Sequence, residues 1–318
     1  MDLKQLETFV HVADLGSFTR AASVLQIAQP ALSRQVRALE VELHQTLFDR
    51  NGRGVTLTEA GQRLLAHGRG ILQQVERAKL DLEDQRGAAT GLVCVGLPPS
   101  VSRTLTAPLV EAFRDRFPRA TLSMVEGLST YTLEWLQQGR VDCAVVYNAT
   151  PAAAVALQPV LDEKLYLVSA RGKARSLLGK PATLADVAAQ ELVIPSRPHA
   201  IRMRLEMALA EAGLKPQVGL EIESVPAMLD LVQRHPTQGL HAVLSLNALR
   251  GSEHESGLQA RPIHIKPDGA ALATSLWIAT SALRPRGPLL DQTTDLLAQL
   301  LRDRLGLIGS AARPSKPR

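Results

Sequence analysis

The chain has only two cysteines, Cys94 and Cys143, among its 318 residues. This count excludes a framework of disulfide bonds and indicates a reducing compartment. No apolar run approaches the ~18–20 residues that a helix needs to cross a bilayer. The opening stretch, MDLKQLETFV, carries acidic side chains where a secretion signal requires a basic start. We therefore expect a cytoplasmic protein without a membrane partner.

Signature motifs of common enzymes and metal sites are also missing. The sequence contains no GxGxxG, P-loop, G-x-S-x-G or H-E-x-x-H motif, which argues against nucleotide-dependent enzymes, hydrolases and zinc peptidases. Its 8 histidines are scattered, and neither cysteine belongs to a CxxC pair. We expect no enzymatic activity, no metal and no other cofactor.

The net charge of +5 is compatible with nucleic-acid binding but does not locate such a site. Residues 1–90 hold 11 basic and 11 acidic side chains, and residues 91–318 hold the other 25 and 20. The basic residues 307–318 are expected to form a disordered tail, to which we assign no role. The placement of individual arginines must therefore identify any DNA-binding surface.

Hydrophobic spacing over the first 43 residues predicts three short helices. Residues 2–14 form the first, and DLGS ends it, with Gly16 suited to a left-handed cap and Ser17 to the N-cap of the next helix. The second helix is FTRAASVL. The turn QIAQ leads to a third helix that begins around Pro30, which is tolerated in a first turn, and ends near Leu43. Helices joined this tightly cross steeply, so the third should expose its first turn.

The third helix has an apolar and a polar face. The positions expected to be buried are Leu32, Val36, Leu39 and Leu43. The positions left outside are Gln29, Ser33, Arg34 and Arg37. Glutamine and arginine present paired hydrogen-bonding groups to bases, and serine can bond a phosphate. The following LFDRNGRGVTLTEAG predicts strand, turn, strand and helix, a wing that would place Arg53 near the minor groove or the DNA backbone. The alternative is a three-helix core whose arginines are merely solvated.

These segments resemble the winged helix-turn-helix of LysR-type transcriptional regulators. The resemblance covers residues 1–60 without a gap and includes AA, QPALS, LE, LF.R and LT.AG. It implies that five positions approach DNA, namely Gln29, Pro30, Ser33, Arg34 and Arg53. Ser17 and Thr19 are further candidates, for contact with phosphate, and Arg37 joins them from its outer-face position.

Residues 58–86 contain no proline and predict one long helix. A 7, 4, 3, 4 spacing typical of a two-helix coiled coil links Leu64, Ile71, Val75, Ala78 and Leu82. Gly68 and Gly70 interrupt this stripe, which is typical of close helix crossing or of local flexibility. The alternative is a helix packed on its own domain. The resemblance implies antiparallel pairing of such helices, in dimers that commonly assemble into tetramers.

From residue 91 onward, short apolar strands alternate with helical stretches, which predicts a parallel α/β sheet. Crossover segments near 160–168 and 264–272 would divide it into two lobes, with SLWIATS returning to the first lobe and a helix at 288–306 closing it. The expected chain is thus a multidomain α+β and α/β protein. Its parts are a winged helix-turn-helix (1–58), a linker helix (59–88) and an effector domain (91–306), with lobe I at 91–162 and 270–306 and lobe II at 163–269. The resemblance implies a periplasmic-binding-protein-like fold with a ligand between the lobes.

Ligands in open α/β sheets lie beyond the carboxyl ends of strands. Three segments there, LPPSVSRT, EGLSTYT and IPSRPHAIR, supply the candidate effector residues Ser100, Ser102, Ser129, Thr130, Ser196, Arg197, His199 and Arg202. Hydroxyls and helix-end amides facing arginine suit a small organic anion. N-capping is an equally common use of these serines and threonines. The resemblance favours Ser100 and Ser129, but the chain departs from it at VQRHPTQGLHAVLSL, where Ser245 replaces a proline of the family's GxGxxxLP.

Together these features predict a homo-oligomeric transcriptional regulator. Its expected partners are an interrupted inverted repeat in double-stranded DNA, a small organic effector, further copies of itself and RNA polymerase. One alternative is an architectural DNA-binding protein without a ligand. Another is a redox-sensing regulator, although Cys94 and Cys143 lie inside apolar strands, where reactive thiols are not expected.

Overall fold

A computed structural model describes residues 1–51, 54–83, 91–172, 178–234, 239–250, 252–266 and 269–306. The chain divides into two compact units, one formed by residues 1–92 with 137–140 and the other by residues 93–136 with 141–318. Arg53, residues 84–90 and the basic tail from 307 lie outside the described residues. None of the helices within the described ranges is long and apolar enough to cross a membrane.

The first unit begins with three helices and a wing. Its elements are α1 (Leu3–Leu15), α2 (Phe18–Leu25), α3 (Gln29–Leu43), β1 (Phe48–Asn51), β2 (Gly54–Leu57) and α4 (Glu59–Glu83). Gly16 ends α1 in the left-handed region with φ 60°, and Ser17 caps α2 by accepting a hydrogen bond from the Arg20 N–H. The predicted caps, helices and wing strands are therefore confirmed.

The linker helix α4 packs partly on its own domain. Leu64 and Leu72 contact the core formed by α1, α2 and α3. At Gly68 an added Cβ would lie 3.0 Å from Leu6 Cδ1, so the glycine permits close crossing of α1 and α4. The structure thus differs from the predicted coiled-coil seam at Leu64, because α1 covers that end of the stripe. Ile71, farther along the stripe, is exposed.

From Gly91 onward the described residues form ten strands. They are β3 (Gly91–Leu97), β4 (Ala120–Glu126), β5 (Cys143–Tyr147), β6 (Val155–Ala170), β7 (Ala182–Thr183), β8 (Glu191–Ile194), β9 (Gln217–Glu221), β10 (Leu240–Ser245), β11 (Leu258–His264) and β12 (Ala273–Ser281). The helices are α5 (Pro99–Arg116), α6 (Ser129–Gln137), α7 (Leu184–Ala188), α8 (Ala200–Glu211), α9 (Val225–Arg234), α10 (Leu246–Leu249) and α11 (Pro288–Leu301). A 3₁₀ turn spans Glu255–Gly257, and a π-helical turn spans Arg302–Gly306.

These strands form one mixed sheet with the order β4-β3-β5-β12-β6-β10-β8-β9, and β11 pairs with both β6 and β7. Pairing is parallel between β3 and β5 and along β10-β8-β9. It is antiparallel where β12 meets β5 and β6 and where β6 meets β10 and β11. The prediction of a parallel sheet was therefore wrong for the centre, because β6 and β12 carry the chain between the lobes in opposite directions.

The long strand β6 joins the two lobes. Its residues 155–164 pair with β12, and its residues 165–170 pair with β10 and β11. The predicted crossover near 160–168 is therefore confirmed in position, but it is continuous strand rather than a connecting segment. The return crossover lies between β11 and β12, as predicted. Cys94 and Cys143 are buried in β3 and β5, with 3% and 0% of their surface exposed.

Candidate DNA-binding surface and effector pocket

The helix α3 exposes its first turn while its apolar face is buried. Leu32, Val36 and Leu39 have 0% of their surface exposed. On the opposite side, Gln29, Pro30, Arg34 and Arg37 are exposed and Ser33 is half-buried. Neither Arg34 nor Arg37 makes a side-chain hydrogen bond or ion pair with another described residue. Both guanidinium groups therefore keep all their donors for a partner such as DNA.

Three hydrogen bonds fix the position of α3. The Thr8 hydroxyl on α1 donates to the Gln35 side-chain oxygen at 2.6 Å. The Glu40 carboxylate accepts from the N–H groups of Leu47 at 2.8 Å and Phe48 at 3.3 Å. Glu40 thus connects the last turns of α3 to the start of the wing. This role of Glu40 was not predicted from the sequence, although a glutamate on this helix would repel phosphates and so is expected to bond within the protein.

Two further predicted DNA contacts, Ser17 and Thr19, lie at the start of α2. Thr19 is exposed, while Ser17 is half-buried and accepts the N–H of Arg20 at 3.3 Å. A hydroxyl that accepts at a cap still has its own proton to donate, for example to a phosphate. In the wing, Asn51 and Gly54 are the last paired residues of β1 and β2. Arg53 falls between them, outside the described residues, and its role stays a prediction.

A cavity of about 850 Å³ lies between the two lobes of the second unit. The residues that line it are Pro99, Ser100, Arg103, Glu126, Glu223, Ser224, Val225, Pro226, Leu229, Ala248, Ser252, Glu253 and His254. Among the predicted effector residues, Ser100 is the one in this lining. Ser102 is buried behind it and donates a 2.8 Å hydrogen bond to Glu126 Oε1. The volume is in the range of pockets that hold small molecules.

The wall of the cavity at α5 is bonded across to the second lobe. The Asn247 side-chain amide of α10 donates to the Ser100 carbonyl at 3.2 Å and accepts from the Thr104 hydroxyl at 2.8 Å. Arg103 donates to the carbonyls of Asn247 and Ala248 at 2.6 and 3.0 Å. These bonds connect the two lobes, so a ligand that displaced them would alter the relation between the lobes.

Behind Ser100 a chain of hydrogen bonds leads into the strand that the lobes share. The hydroxyls of Ser100 and Tyr147 lie 3.2 Å apart, and Tyr147 donates to Glu163 Oε2 at 2.8 Å. The Ser245 hydroxyl also bonds to Glu163, and burial raises the pKa of this carboxyl to about 7. Burial also raises the pKa of Tyr147 well above its usual value. Neither Tyr147 nor Glu163 was predicted from the sequence, and the available signal for Glu163 was a carboxylate inside a predicted crossover.

Ser129 and Thr130 begin α6 next to this chain. The Ser129 hydroxyl accepts the N–H of Tyr147 at 2.9 Å, and Thr130 is exposed. Ser129 therefore holds the end of β5 in place. Its predicted contact with an effector stays a prediction.

The four predicted effector residues of the second lobe lie outside the lining of the cavity, although Ser196 bonds to Glu223, which is part of that lining. Arg202 is buried and bonds to Glu206 at 2.7 Å and Glu221 at 2.8 Å, and Arg197 bonds to Glu206 at 3.0 Å. His199 caps α8 by accepting the N–H of Ile201, and burial lowers the pKa of its imidazole. The Ser196 hydroxyl donates to Glu223 Oε1 at 3.3 Å. Because both arginines are already paired with carboxylates, they no longer support the expectation of an anionic effector.

Comparison with known proteins agrees with this arrangement. The profile described as "Bacterial regulatory helix-turn-helix protein, lysR family" matches residues 3–62, and the profile of the LysR substrate binding domain matches residues 86–304. The chain belongs to the LysR family. It is a DNA-binding transcriptional regulator with an effector-binding domain, and the family is not one of enzymes.

Curated members of the LysR family resemble this chain over about three quarters of its length. The nitrogen assimilation regulatory protein nac of Klebsiella aerogenes is 39% identical over 229 residues, which cover 72% of this chain and 74% of the relative. The nac protein of Escherichia coli (strain K12) is 38% identical over the same coverage. A probable RuBisCO transcriptional regulator of Cyanophora paradoxa is 30% identical over 238 residues, 73% of each chain.

Solved structures of full-length LysR-family proteins share the fold. CbnR in complex with its target DNA gives a TM-score of 0.70 at 22% identity, covering 94% of this chain and 100% of CbnR. A full-length OxyR variant from Pseudomonas aeruginosa also gives 0.70, at 20% identity, covering 100% and 99%. At these identities the likeness shows the architecture of the chain and nothing about its ligands.

Proposed function

We propose that this LysR-family regulator binds double-stranded DNA through the first turn of α3 and the wing. The single observation that carries the proposal is the exposed guanidinium of Arg34, which pairs with no residue that the structure describes, on a helix whose other face is buried. Such a helix enters the major groove by its N-terminal residues. The proposed contacts are Gln29, Pro30, Ser33, Arg34, Arg37 and Arg53, with Ser17 and Thr19 at phosphates.

The DNA site is proposed to be an interrupted inverted repeat read by paired subunits. One winged domain buries a small interface, and a symmetric dimer reads two half-sites. Exposed Ile71 and Ala78 lie on the part of α4 that α1 leaves uncovered, which supports pairing through the linker helix. The proposed division of the chain follows, with DNA binding in 1–58, pairing in 59–88 and effector binding in 91–306.

The cavity between the lobes is the proposed effector site. An architectural DNA-binding protein has no use for a cavity of about 850 Å³ whose two walls are hydrogen-bonded through Asn247 and Arg103. Effector binding would shift the population of lobe arrangements, and with it the geometry of bound DNA and the contact with RNA polymerase.

Footprinting of the purified full chain on the region beside its own gene tests this function. We expect protection of two half-sites about one helical turn apart, or a multiple of this spacing. A DNA in which one half-site is scrambled serves as the control and should lose protection of that half. Equal protection of scrambled and intact DNA would show that binding is non-specific and would contradict the proposal.

A further inference from the structure

The donor and acceptor roles around Ser100 follow from the groups behind it. Tyr147 has one phenolic proton, and it donates this proton to Glu163. An ionised Glu163 can only accept, so the phenol oxygen is left as the acceptor for the Ser100 hydroxyl 3.2 Å away. Ser100 in turn has one proton and has used it. With Glu163 ionised, the Ser100 hydroxyl therefore offers only lone pairs to the cavity, and a ligand atom that meets this hydroxyl must be a hydrogen-bond donor.

The charges around the cavity favour the same kind of ligand. Its lining holds three carboxylates, of Glu126, Glu223 and Glu253, against one guanidinium, of Arg103, and one imidazole, of His254. Nη2 of Arg103 already donates to two backbone carbonyls of α10, so part of the hydrogen-bonding capacity of this guanidinium is engaged. Glu126 and Glu223 each receive one hydroxyl proton, from Ser102 and Ser196, which leaves further lone pairs on both carboxylates.

Helix N-termini, the usual source of anion-binding amides, are weakened at this cavity. The helix α5 starts with Pro98 at the cap and Pro99 at its first position, and neither has an N–H group. The helix α9 has Pro226 at its second position. Two helix ends that face the cavity thus lack amides that an anion would need.

We propose that the effector carries a cationic hydrogen-bond donor, an amine or guanidine, which Ser100, Glu126 and Glu223 receive in the cavity between the lobes. This inference rests on the proposed effector function of that cavity. Tyr147 and Glu163 act as positioning residues, since they set the direction of the Ser100 hydroxyl without meeting the ligand. Apolar neighbours such as Leu229 and Val225 would hold the carbon skeleton.

Matched pairs of small molecules test the ligand class. Benzylamine is compared with benzoate, and 1,4-diaminobutane with succinate, by isothermal titration of the full chain at pH 8, where Glu163 is mostly ionised. We expect each amine to bind at least about tenfold more tightly than its carboxylate counterpart, a difference of roughly 1.4 kcal/mol. Equal or tighter binding of the carboxylates overturns the inference. Absence of amine binding up to roughly 10 mM, in protein that still protects its DNA site, overturns it as well.

Variants test the assigned residues. The double variant Glu126→Gln with Glu223→Gln keeps the shape of the cavity and should weaken amine binding about tenfold or more. The control Glu211→Gln, at an exposed position of α8, should leave amine binding unchanged. Tyr147→Phe removes the acceptor that orients Ser100, so carboxylate binding should rise relative to amine binding, which a purely structural role would not produce. Unaltered amine affinity in the double variant overturns the inference. Loss of DNA protection by the wild-type chain would instead contradict the proposed function, so the two failures are distinct.

Discussion

The Tyr147 hydroxyl donates a 2.8 Å hydrogen bond to Glu163 at the place where β6 passes from one lobe to the other. Tyr147 ends β5 of the first lobe, and Ser245, which also bonds to Glu163, ends β10 of the second. A buried carboxylate is thus shared by both lobes. Its protonation depends on how closely the lobes enclose it, because burial is the main cause of its raised pKa.

Glu163→Gln should change how the stability of the effector half depends on pH. The pKa of Glu163 is raised from 4.5 to about 7 in the folded protein. Between these values the folded state holds a proton that the unfolded state has lost, so stability falls as pH rises from about 4.5 to about 7. A shift of this size corresponds to roughly 3 kcal/mol at pH 8. The free energy of unfolding of Glu163→Gln minus that of wild type should therefore be larger at pH 8 than at pH 5, because the variant has no carboxyl to ionise.

Unfolding midpoints of the two proteins at pH 5 and pH 8 measure this difference. Glu211→Gln on the exposed end of α8 is the matched control, and its unfolding midpoint should change with pH as that of wild type does. If the difference between Glu163→Gln and wild type were the same at both pH values, Glu163 would not titrate in the assigned way.

The N-terminal unit could be predicted from sequence because its signals are local. Gly16, Ser17 and Pro30 each have a conformational preference that depends on few neighbours, and the predicted helix boundaries around them are confirmed. The outward face of Arg34 followed from the 4, 3, 4 spacing of the buried leucines and valine. Such periodicity needs no knowledge of distant contacts.

The effector half was less predictable because its key relations are between distant segments. The central antiparallel strands depend on the pairing of β6 with β12, which are more than a hundred residues apart. Glu221, one of the two carboxylates that pair with Arg202, and Tyr147, which bonds to Glu163, come from other elements, so sequence spacing did not reveal these partners. Nor could spacing show that α1 covers Leu64.

Arg34→Ala should weaken specific DNA binding by roughly 1–3 kcal/mol and relax the sequence preference at one position, provided that the guanidinium reads a base edge. Its exposed position predicts no loss of fold stability. Titration of the variant against intact and single-base-substituted sites measures both effects. Arg114→Ala on the exposed side of α5 is the control. Unchanged affinity together with unchanged sequence preference in Arg34→Ala would show that Arg34 does not contact the DNA.

Gly68→Leu should destabilise the winged domain. The added Cβ would lie 3.0 Å from Leu6 and 3.3 Å from Val10, and the rest of the leucine would force α1 and α4 apart. Overpacking of this kind costs typically 1–3 kcal/mol. Gln62→Leu places the same side chain on an exposed position of α4 and should be nearly neutral. Thermal unfolding of both variants measures the difference. Equal melting temperatures would show that the contact between α1 and α4 accommodates the larger side chain.

Arg202 and Arg197 were predicted together as effector residues, and the structure gives them different surroundings. Arg202 is buried and bonds to two glutamates and to the Pro195 carbonyl, whereas the Arg197 side chain is 66% exposed. Arg202→Met should therefore destabilise the second lobe by on the order of 2–3 kcal/mol, because it leaves charged acceptors without their donor.

Arg197→Met is the matched control, since it removes a mostly exposed guanidinium that pairs with the same Glu206, and it should cost about 0–1 kcal/mol. Denaturant titration of the two variants gives the comparison. If Arg202→Met and Arg197→Met lost equally little free energy of unfolding, the ion pairs of Arg202 would contribute little to stability. The expectation that Arg202 is free to serve a ligand would then be open again, because a guanidinium whose pairing adds no stability can exchange its partners at small cost.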